Sequence, residues 1–295
     1  MVSALPPDGA VFLYYEQSQV MIGALLRALA KAVGPAAIAG DRGTTDIHSA
    51  SGVHPNGMPW VSAAQLGGEL GPFGATEHGD ADTWMLSYQA NGIVGAVEAI
   101  ESDVPAVLLR EEPVPDSAGP GFHRGGLAVL RDSLWLQAAS HNLMSLHYRR
   151  PAGFGVNGGG EGRNGGVWIW PPDGEAPANP PTGEDAYADA TPLAGLLNPD
   201  TNAPDPDGVF LYPYRQSPWR TDPYTVLRYI NRGGGGWGDP FTREPERVLV
   251  DVRDGYVTVE GAARDYGVVV VGDPDEDPEG LAVDEDATAR LRGAA

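Results

Sequence analysis

Hydrophobic positions along the chain follow helical spacing in a few segments and strand spacing in many more. Residues 16–34 carry apolar side chains at short, helix-like intervals, namely at Val20, Ile22, Leu25, Leu26 and Leu29. That spacing predicts an amphipathic helix, with Gly34 and Pro35 as its stop signal. The apolar run just before it, residues 10–15, predicts a short strand.

Strand patterns dominate the middle of the chain. Apolar runs predict strands in residues 104–114, 166–172, 208–214 and 224–231. A longer alternating stretch, residues 127–150, predicts two or three antiparallel strands. A short helix is expected in residues 91–102.

The C-terminal part carries clear local signals. Residues 246–252 and 284–293 predict short helices, and Asp254-Gly255 predicts a tight turn followed by a strand. Thr258 is expected to cap a helix that ends at Gly267, because its hydroxyl satisfies free amides and glycine adopts a left-handed conformation. Residues 268–271 predict a buried strand.

Two long stretches are dominated by glycine, proline and small polar residues. Residues 40–79 are expected to be irregular, and loops of that length are often functional. Residues 171–207 predict a partly ordered surface excursion and mark the best internal boundary. The sequence thus predicts an α+β fold with mixed, mainly antiparallel sheets, in which a central region 1–170 and a C-terminal region 208–295 can form one continuous domain.

Composition narrows the classes of partner. The 295 residues carry 40 acidic against 19 basic side chains, a net charge of −21. Nucleic acids and anionic membranes bind clustered basic residues, so neither is an expected partner. The absence of cysteine excludes disulfides, thiolate metal sites and cysteine nucleophiles, and it fits a reducing cytoplasm. No signal peptide is visible at the start, and no apolar stretch is long enough to span a bilayer.

Four consecutive glycines, residues 233–236, precede Trp237 and Asp239-Pro240. A phosphate loop requires a lysine after the glycines, which is missing here. A dinucleotide-binding turn requires a helix directly afterwards, which Pro240 interrupts. Local physics therefore favours a tight backbone crossing, in which the glycines let the chain pass flat against a neighbour and Trp237 anchors it.

Three blocks of sequence carry a family resemblance. The first is residues 233–270, which contain the glycine run. The second, residues 104–132, sets Asp116, Ser117 and Arg124 among glycines in a characteristic order, and the third, residues 14–30, places an acid before Ser-Gln and a helix. In these blocks the chain resembles the hydantoinase B family, which includes the matching half of 5-oxoprolinase and subunits of acetone and acetophenone carboxylases.

The resemblance carries expectations about partners and cofactors. Family members are usually about twice this length, and their front half carries a His- and Asp-rich segment that is missing here. The resemblance therefore implies a hydantoinase B back half, encoded separately or cut from a longer protein. It also implies a hydantoinase A-like subunit that binds ATP and Mg²⁺, together with a front-half hydantoinase B subunit. On this view the chain itself binds no cofactor, and any divalent metal lies in the partner subunits.

Asp116, Ser117 and Arg124 flank a glycine-rich turn and are candidate site residues. As catalytic residues, Arg124 would pair with a phosphate or carboxylate and Asp116 would orient it. Ser117 would then contact the substrate. The competing interpretation is an internal Asp–Arg pair that fixes the loop, which is a common arrangement.

Glu16, Ser18 and Gln19 lie at the start of the first predicted helix. Glu16 is a candidate catalytic acid facing a substrate channel, with Ser18, Gln19 and Trp237 as substrate-binding residues. The competing interpretation is structural: Ser18 caps the start of the helix, and the nearby acid interacts favourably with the helix dipole.

Metal-capable residues gather in the irregular region, at Asp46, His48, His54, His78 and Asp80. Neutral imidazole and carboxylate suit Zn, Mn or Fe. Their spacing matches no standard ligand pattern. The sequence therefore favours no metal in this chain, with Asp46, His48 and His54 as the weaker alternative.

Two functions remain open at this point. The first is a cytoplasmic subunit of an ATP-dependent hydantoinase, oxoprolinase or ketone carboxylase complex, acting on a cyclic amide or ketone that the partner has phosphorylated. The second is a non-catalytic assembly subunit that completes a split hydantoinase B protein. The sequence chooses neither the substrate nor hydrolysis over carboxylation.

Overall fold

The computed structural model describes residues 14–63, 70–88, 95–145, 149–150, 152–172, 184–212 and 218–293. Its helices are α1 (Tyr14–Val33), α2 (Val97–Asp103), α3 (Pro245–Arg253), α4 (Val259–Tyr266) and α5 (Glu285–Gly293). The strands are β1 (Ile47–Val53), β2 (Pro59–Ala63), β3 (Ala106–Pro113), β4 (Val129–Trp135), β5 (Ala139–Met144), β6 (Gly166–Trp170), β7 (Thr191–Leu197), β8 (Val209–Leu211), β9 (Trp219–Thr221), β10 (Thr225–Ile230), β11 (Val270–Val271) and β12 (Ala282–Val283). This mixture of helices and antiparallel sheets confirms the predicted α+β class.

The larger sheet of the described chain has six strands in the order β3-β4-β10-β6-β7-β8, and neighbouring strands are antiparallel. Strand β10 lies inside it, and all of its residues are buried. A strand covered on both faces needs a nearly continuous apolar run, which β10 has from Val226 to Ile230 except at Arg228. Arg228 stands opposite Asp132 of β4 and donates two hydrogen bonds of 2.8 Å to its carboxylate. This bidentate pair satisfies both charges inside the sheet.

The smaller sheet has four strands within the described residues, in the order β2-β1-β5-β9, and its neighbouring strands are also antiparallel. Of the two or three antiparallel strands predicted in residues 127–150, β4 and β5 are present, but they lie in different sheets and do not pair with each other. Trp135, at the end of β4, is fully buried in a core to which both sheets contribute. Trp60 of β2 and Trp219 of β9 pack into the same core.

The C-terminal helices and the β11–β12 pair surround a separate apolar cluster that includes Val248, Val252 and Tyr266. The predicted cap is confirmed, because Thr258 Oγ1 accepts a 2.9 Å hydrogen bond from the Gly261 amide at the start of α4. The predicted helix end is confirmed as well, since Gly267 has a φ of 64°. The strand predicted after Asp254-Gly255 is wrong, because residues 256–258 lead directly into the capped helix.

Helix α1 confirms the prediction for residues 16–34, and Gly34–Ala36 continue it as one turn of 3-10 helix. Leu26 and Ala30 face an apolar cluster of Ala37, Ala39, Phe154 and Val156. The helix begins earlier than predicted, since Tyr14 and Tyr15 are its first residues and not the end of a strand. Residues 10–13 of that predicted strand lie outside the described residues. Among the helices described, none is both long and apolar enough to cross a bilayer.

Two stretches predicted as loops contain strands. Residues 40–79 hold the β1–β2 hairpin, whose serines and glycines mask the alternation of its positions. Residues 171–207 hold β7, a sheet strand with buried residues whose threonine, proline and glycine suggest a loop. The division into regions 1–170, 171–207 and 208–295 stays a prediction, although each range contributes strands to the larger sheet.

Candidate functional site

The glycine run, residues 233–236, is buried between four other segments of the chain. These are residues 39–41, 73–75, 117–126 and 152–163, and their backbones approach the run directly. We call these five segments the glycine hub. Most of the residues predicted to form a site belong to the hub or contact it, so its geometry decides what their side chains can do.

The amides of the run donate to hub carbonyls: Gly233 to Arg163 at 2.9 Å, Gly234 to Gly126 at 2.9 Å, Gly235 to Gly40 at 2.8 Å and Gly236 to Gly160 at 3.0 Å. The Gly233 and Gly236 amides both donate to carbonyls of residues 152–163. Hydrogen bonds along the run therefore point in the same direction again after three residues. An extended chain with three residues per turn has that repeat. The run is thus an extended strand hydrogen-bonded on several sides.

Side chains have no room along the run. A Cβ added to any of the four glycines would lie about 2 Å from a backbone oxygen of a neighbouring segment, closer than any real contact. The distances are 1.8 Å from Gly233 to Ser117, 1.9 Å from Gly234 to Phe73, 2.0 Å from Gly235 to Phe154 and 2.1 Å from Gly236 to Pro120. None of these four glycines has a positive φ, so close approach and not backbone handedness requires glycine here. The backbone-crossing interpretation is confirmed. With their amides bonded to carbonyls, the glycines do not form a phosphate cradle.

Trp237 fixes the end of the run. Its backbone amide and carbonyl exchange hydrogen bonds of 2.9 Å with His123, and its indole Nε1 donates to the Pro35 carbonyl at 3.0 Å. The indole also packs beside the apolar cluster under α1. Trp237 therefore acts as an anchor between the hub and the end of α1. Its role in substrate binding stays a prediction.

The side chain of Asp116 bonds to the start of helix α4 and does not pair with Arg124. Its carboxylate accepts hydrogen bonds from the Thr258 amide at 2.9 Å and from the Thr258 hydroxyl at 2.7 Å, and Arg264 lies 3.5 Å away. The residue has a φ of 58°, in the left-handed region that aspartate tolerates better than most side chains. The predicted pairing of Asp116 with Arg124 is wrong, because each has its own partner on a different C-terminal helix.

Ser117 is occupied by the backbone. Its hydroxyl donates to the Val114 carbonyl at 2.6 Å and accepts from the Ala128 amide at 2.8 Å. The side chain is buried. These two bonds account for the hydroxyl proton and one acceptor site, so Ser117 closes the loop between β3 and β4 in this structure.

Arg124 belongs to a partly buried ionic cluster that the sequence did not reveal. Its Nε lies 3.2 Å from Asp251 of α3, its Nη1 donates to the Gly125 carbonyl at 3.0 Å, and its guanidinium stacks over Tyr256. Asp251 also accepts a 2.7 Å bond from Arg243. We call Asp80, His123, Arg124, Arg243, Arg247 and Asp251 the Arg–Asp cluster.

Asp80 connects the buried and the exposed parts of this cluster. Arg243 donates two bonds to it, at 2.8 and 2.9 Å, and Arg247 donates a third at 3.0 Å. Burial acts to raise the pKa of Asp80, but the bonds and charge of Arg243 outweigh it and hold the pKa at about 2. Burial, helped by the charges of Arg247 and Arg243, lowers the pKa of His123 below its ordinary value although Asp80 opposes this. The cluster thus favours an ionised Asp80 beside a neutral His123 at neutral pH.

The start of α1 contacts the hub through a second buried carboxylate. Gln19 Nε2 donates to Asp41 at 2.5 Å, and the amides of Gly43 and Tyr88 donate to the same carboxylate at 3.0 Å. Burial raises the pKa of Asp41 despite these donors. Ser18 lies in the second turn of α1, so the capping interpretation is wrong for it. The side chain of Glu16 lies outside the described residues, and its catalytic role stays a prediction.

Asp46, His48 and His54, the three metal-ligand candidates, lie in different environments. Asp46 is fully buried, receives a 2.6 Å bond from Arg232 and lies 3.7 Å from Arg42. His48 lies in the core, whereas His54 lies in the turn of the β1–β2 hairpin. Within the described part of the chain, no group of three His, Asp or Glu residues could hold a metal ion. These side chains therefore do not fit a metal site in this structure.

His48 belongs to a histidine pair that sequence analysis missed. His48 Nε2 and His141 Nδ1 are 3.0 Å apart, and His141 Nε2 is 2.8 Å from the Thr221 hydroxyl. Both rings stack against Trp219. Burial, with the neighbouring His48, lowers the pKa of His141 well below its ordinary value. The pair links β1, β5 and β9 from inside the smaller sheet.

Comparison with known proteins gives these contacts a family context. A profile described as Hydantoinase B/oxoprolinase matches residues 1–240. A D-/L-hydantoinase B protein from Pseudomonas sp. (strain NS671) is 26% identical over 90% of this chain and 38% of its own length. The beta chain of caprolactamase from Pseudomonas jessenii is 30% identical over 60% of this chain and 26% of its own length.

A solved structure of nucleotide-free acetone carboxylase shares the fold, with a TM-score of 0.68 and 23% identity over 92% of this chain and 36% of that one. The chain thus spans well under half the length of the relatives it matches. Because the family profile covers most of the residues, the glycine hub included, the chain belongs to the hydantoinase B/oxoprolinase family.

Proposed function

We propose that this chain works as one part of a cytoplasmic, ATP-dependent, multi-subunit enzyme that acts on a cyclic amide or a ketone. The observation that carries the proposal is family membership over residues 1–240 in a chain that spans 38% of a hydantoinase B relative. The names of the relatives, a hydantoinase, a caprolactamase and an ATP-dependent acetone carboxylase, indicate the reaction class. In this proposal, ATP is bound by a partner polypeptide of that enzyme.

The proposed chemistry begins with phosphorylation of the substrate oxygen by a hydantoinase A-like subunit. Transfer of the terminal phosphoryl group of ATP to an amide oxygen gives ADP and an imidate phosphate. Water then adds to the activated carbon, and the C–N bond breaks as the ring nitrogen leaves with a proton. The ring-opened acyl phosphate that results is hydrolysed by a second water to the carboxylate and free phosphate.

In the ketone branch the enol phosphate loses its phosphoryl group to water, and its terminal carbon attacks the carbon of carboxyphosphate. The phosphate of carboxyphosphate leaves, and a 3-oxo carboxylate forms. Phosphorylation serves a different purpose in each branch: it polarises the amide carbon towards attack by water, and it traps the ketone as the enol whose terminal carbon is the nucleophile.

The glycine hub supports the assignment of ATP to a partner. Phosphate loops bind nucleotides with free backbone amides. In this chain the amides of residues 233–236 donate to the carbonyls of Arg163, Gly126, Gly40 and Gly160. The glycine run therefore has no amide left to bind a phosphate. The partner set that we propose is a hydantoinase A-like subunit with ATP and Mg²⁺, and a front-half hydantoinase B subunit.

A second function has specific support. Asp116, Ser117 and Gln19 use their hydrogen bonds on the chain itself, as a non-catalytic assembly subunit would require. Under this alternative the chain completes a split hydantoinase B protein and shapes its substrate channel. Alanine variants of Asp116 and Arg124, tested in the assembled complex, separate the two functions. A loss of turnover in complexes that still assemble supports a catalytic role, and unchanged turnover supports the assembly role.

The proposal is tested by isolating the chain from its native cell under mild conditions and identifying what co-purifies. We expect a hydantoinase A-type polypeptide and a hydantoinase B polypeptide that carries the front segment. ATP-dependent consumption of a cyclic amide or of acetone should be found in the same chromatography fractions as the complex at every purification step. Isolation of a stable, partner-free chain from cells that contain both polypeptides would contradict the proposal.

A further inference from the structure

Helix α1 has two apolar faces, and the described chain covers one of them. The inner face, with Leu26 and Ala30, packs on the hub cluster. The outer face exposes Met21 at 69%, Leu25 at 58%, and Leu29 and Val33 at 44% each. A helix that is apolar all round is normally buried on all sides. The outer face is therefore a surface that another polypeptide segment should cover.

The outer face has the geometry of a helix-packing surface. Met21, Leu25, Leu29 and Val33 follow each other at four-residue intervals and form one ridge along α1. Ala24, Ala28 and Ala32 run beside that ridge and are also exposed. A row of large side chains next to a row of small ones accepts the ridge of a second helix in the groove between them. The preferred occupant is consequently helical.

We propose that the outer face of α1 docks against the part of a hydantoinase B protein that this chain does not span, an inference that rests on the proposed function. The relatives and the solved neighbour carry more than half of their length outside the matched segment. A stable interface takes roughly 20–30 residues a side, which one helix face cannot supply. The outer face of α1 is therefore the centre of a larger contact with a partner of domain size.

Charge favours the missing hydantoinase B part over a second copy of this chain as the occupant of the outer face. Residues 18–33 contain no acid and carry only Arg27 and Lys31 as charged side chains, in a chain whose net charge is −21. A second copy would bring the same cationic helix against α1 and a further 21 net negative charges around it. The missing hydantoinase B part avoids that conflict if acidic residues border its docking helix. Arg27 stacks over Phe154 on the hub side of α1, so the inference includes such acids opposite Lys31, which borders the row of alanines.

Site-specific crosslinking tests the docking surface. The full chain, with photoreactive benzoylphenylalanine in place of Leu25, is expressed in its native cell and irradiated, and the crosslinked peptide is sequenced. We expect a peptide from the front segment of a hydantoinase B polypeptide. Crosslinks to a second copy of this chain, to residues 1–13 of the same chain, or to the hydantoinase A-type subunit would each overturn the inference. The same photoreactive residue at Val209, which is 63% exposed on β8, is the matched control and should not give that peptide.

A charge substitution gives an independent readout. Leu25→Glu should keep the melting temperature within a few degrees, because the side chain is exposed, yet reduce recovery of the front segment at least tenfold. Val209→Glu should leave that recovery unchanged. If Leu25→Glu still recovers the front segment normally, the docking surface is wrong and the proposed function stands. If the unmodified chain recovers no hydantoinase polypeptide at all, the proposed function itself fails.

Discussion

Several buried polar side chains in this molecule act as partners for the backbone. Arg42 is fully buried and donates to the carbonyls of Leu70, Leu86 and Thr45 at 2.8, 3.1 and 3.2 Å. Asp116 and Ser117 serve amides and carbonyls in the same way. The reason lies in the irregular segments that flank the glycine hub, such as residues 42–46, which have no continuous ladder to pair their peptide groups. Buried peptide groups must still be paired, so side chains take over that task.

The buried Asp46 should be needed for stability. Asp46→Asn removes the charge that compensates Arg232 and Arg42, and breaking a buried ion pair at one partner costs about 3–5 kcal/mol. Chemical denaturation of the purified chain measures the change in free energy of unfolding. Asp200→Asn, at an exposed turn position, should change it by less than about 0.5 kcal/mol. A cost below about 1 kcal/mol for Asp46→Asn would contradict the role assigned to this ion pair.

The histidine pair predicts a specific dependence on pH. The pKa of His141 in the folded chain lies well below the ordinary value of 6.5 that it regains on unfolding. Between these two values the unfolded state binds the extra proton, so the free energy of unfolding falls as pH drops below about 6.5. His141→Gln should flatten the fall in melting temperature between pH 7.5 and 5.5. NMR should show a neutral His141 ring at pH 5.5, and a protonated ring there would exclude this explanation.

At the scale of elements, the glycine run joins segments that lie far apart in sequence. Gly234→Ala places a Cβ 1.9 Å from the Phe73 oxygen, and no flexible side chain is available to move away. We expect this variant to be insoluble or to melt at least 10 °C lower. Gly23→Ala in α1 is the matched control, since nothing lies within 4 Å of its added Cβ. Alanine favours helix by about 1 kcal/mol over glycine, so the control should be as stable as the parent or more stable. Equal melting temperatures for the two variants would refute the backbone crossing.

The contact between Asp116 and α4 gives a second prediction at this scale. Asp116→Ala removes two hydrogen bonds to Thr258 and leaves its amide without that acceptor, at a cost of about 1–3 kcal/mol. Amide hydrogen exchange should rise first in α4 and its neighbours, before the two sheets are affected. Arg253→Ala, an exposed change on α3 whose side chain pairs with the adjacent Asp254, serves as the control. Uniformly faster exchange over the whole chain would argue against a local role for Asp116.

The sequence predicted elements with strong local signals. The helix stop at Gly34, the Thr258 cap and the Gly267 end are properties of a few adjacent residues, and all three are present in the structure. Strand β7 and the β1–β2 hairpin were missed, because buried backbone contacts allow small and polar residues there. The Arg–Asp cluster was missed for another reason. Asp80 and Arg243 are 163 positions apart, and no local pattern marks that pair.

At the scale of the whole molecule, the chain is folded around shared cores yet spans a minority of its relatives' length. Both sheets contribute to one apolar core, and the Arg–Asp cluster ties the C-terminal helices to the hub. The outer face of α1 stays exposed in this chain, with Leu25 and Met21 uncovered by the described residues. A buried core together with an apolar helix face that the described residues leave uncovered is what a part of a larger assembly requires.

Turnover by the isolated chain is the most direct test of that account. The purified chain, shown to be folded and monomeric, is supplied with ATP, Mg²⁺ and in turn 5-oxoproline, caprolactam, a hydantoin, or acetone with bicarbonate. Substrate-dependent formation of ADP is measured for the chain by itself and for the complex isolated from the native cell. The account predicts none from the chain by itself and sustained turnover from the complex with one of these substrates. Substrate-dependent ATP consumption by the monomeric chain alone would contradict it.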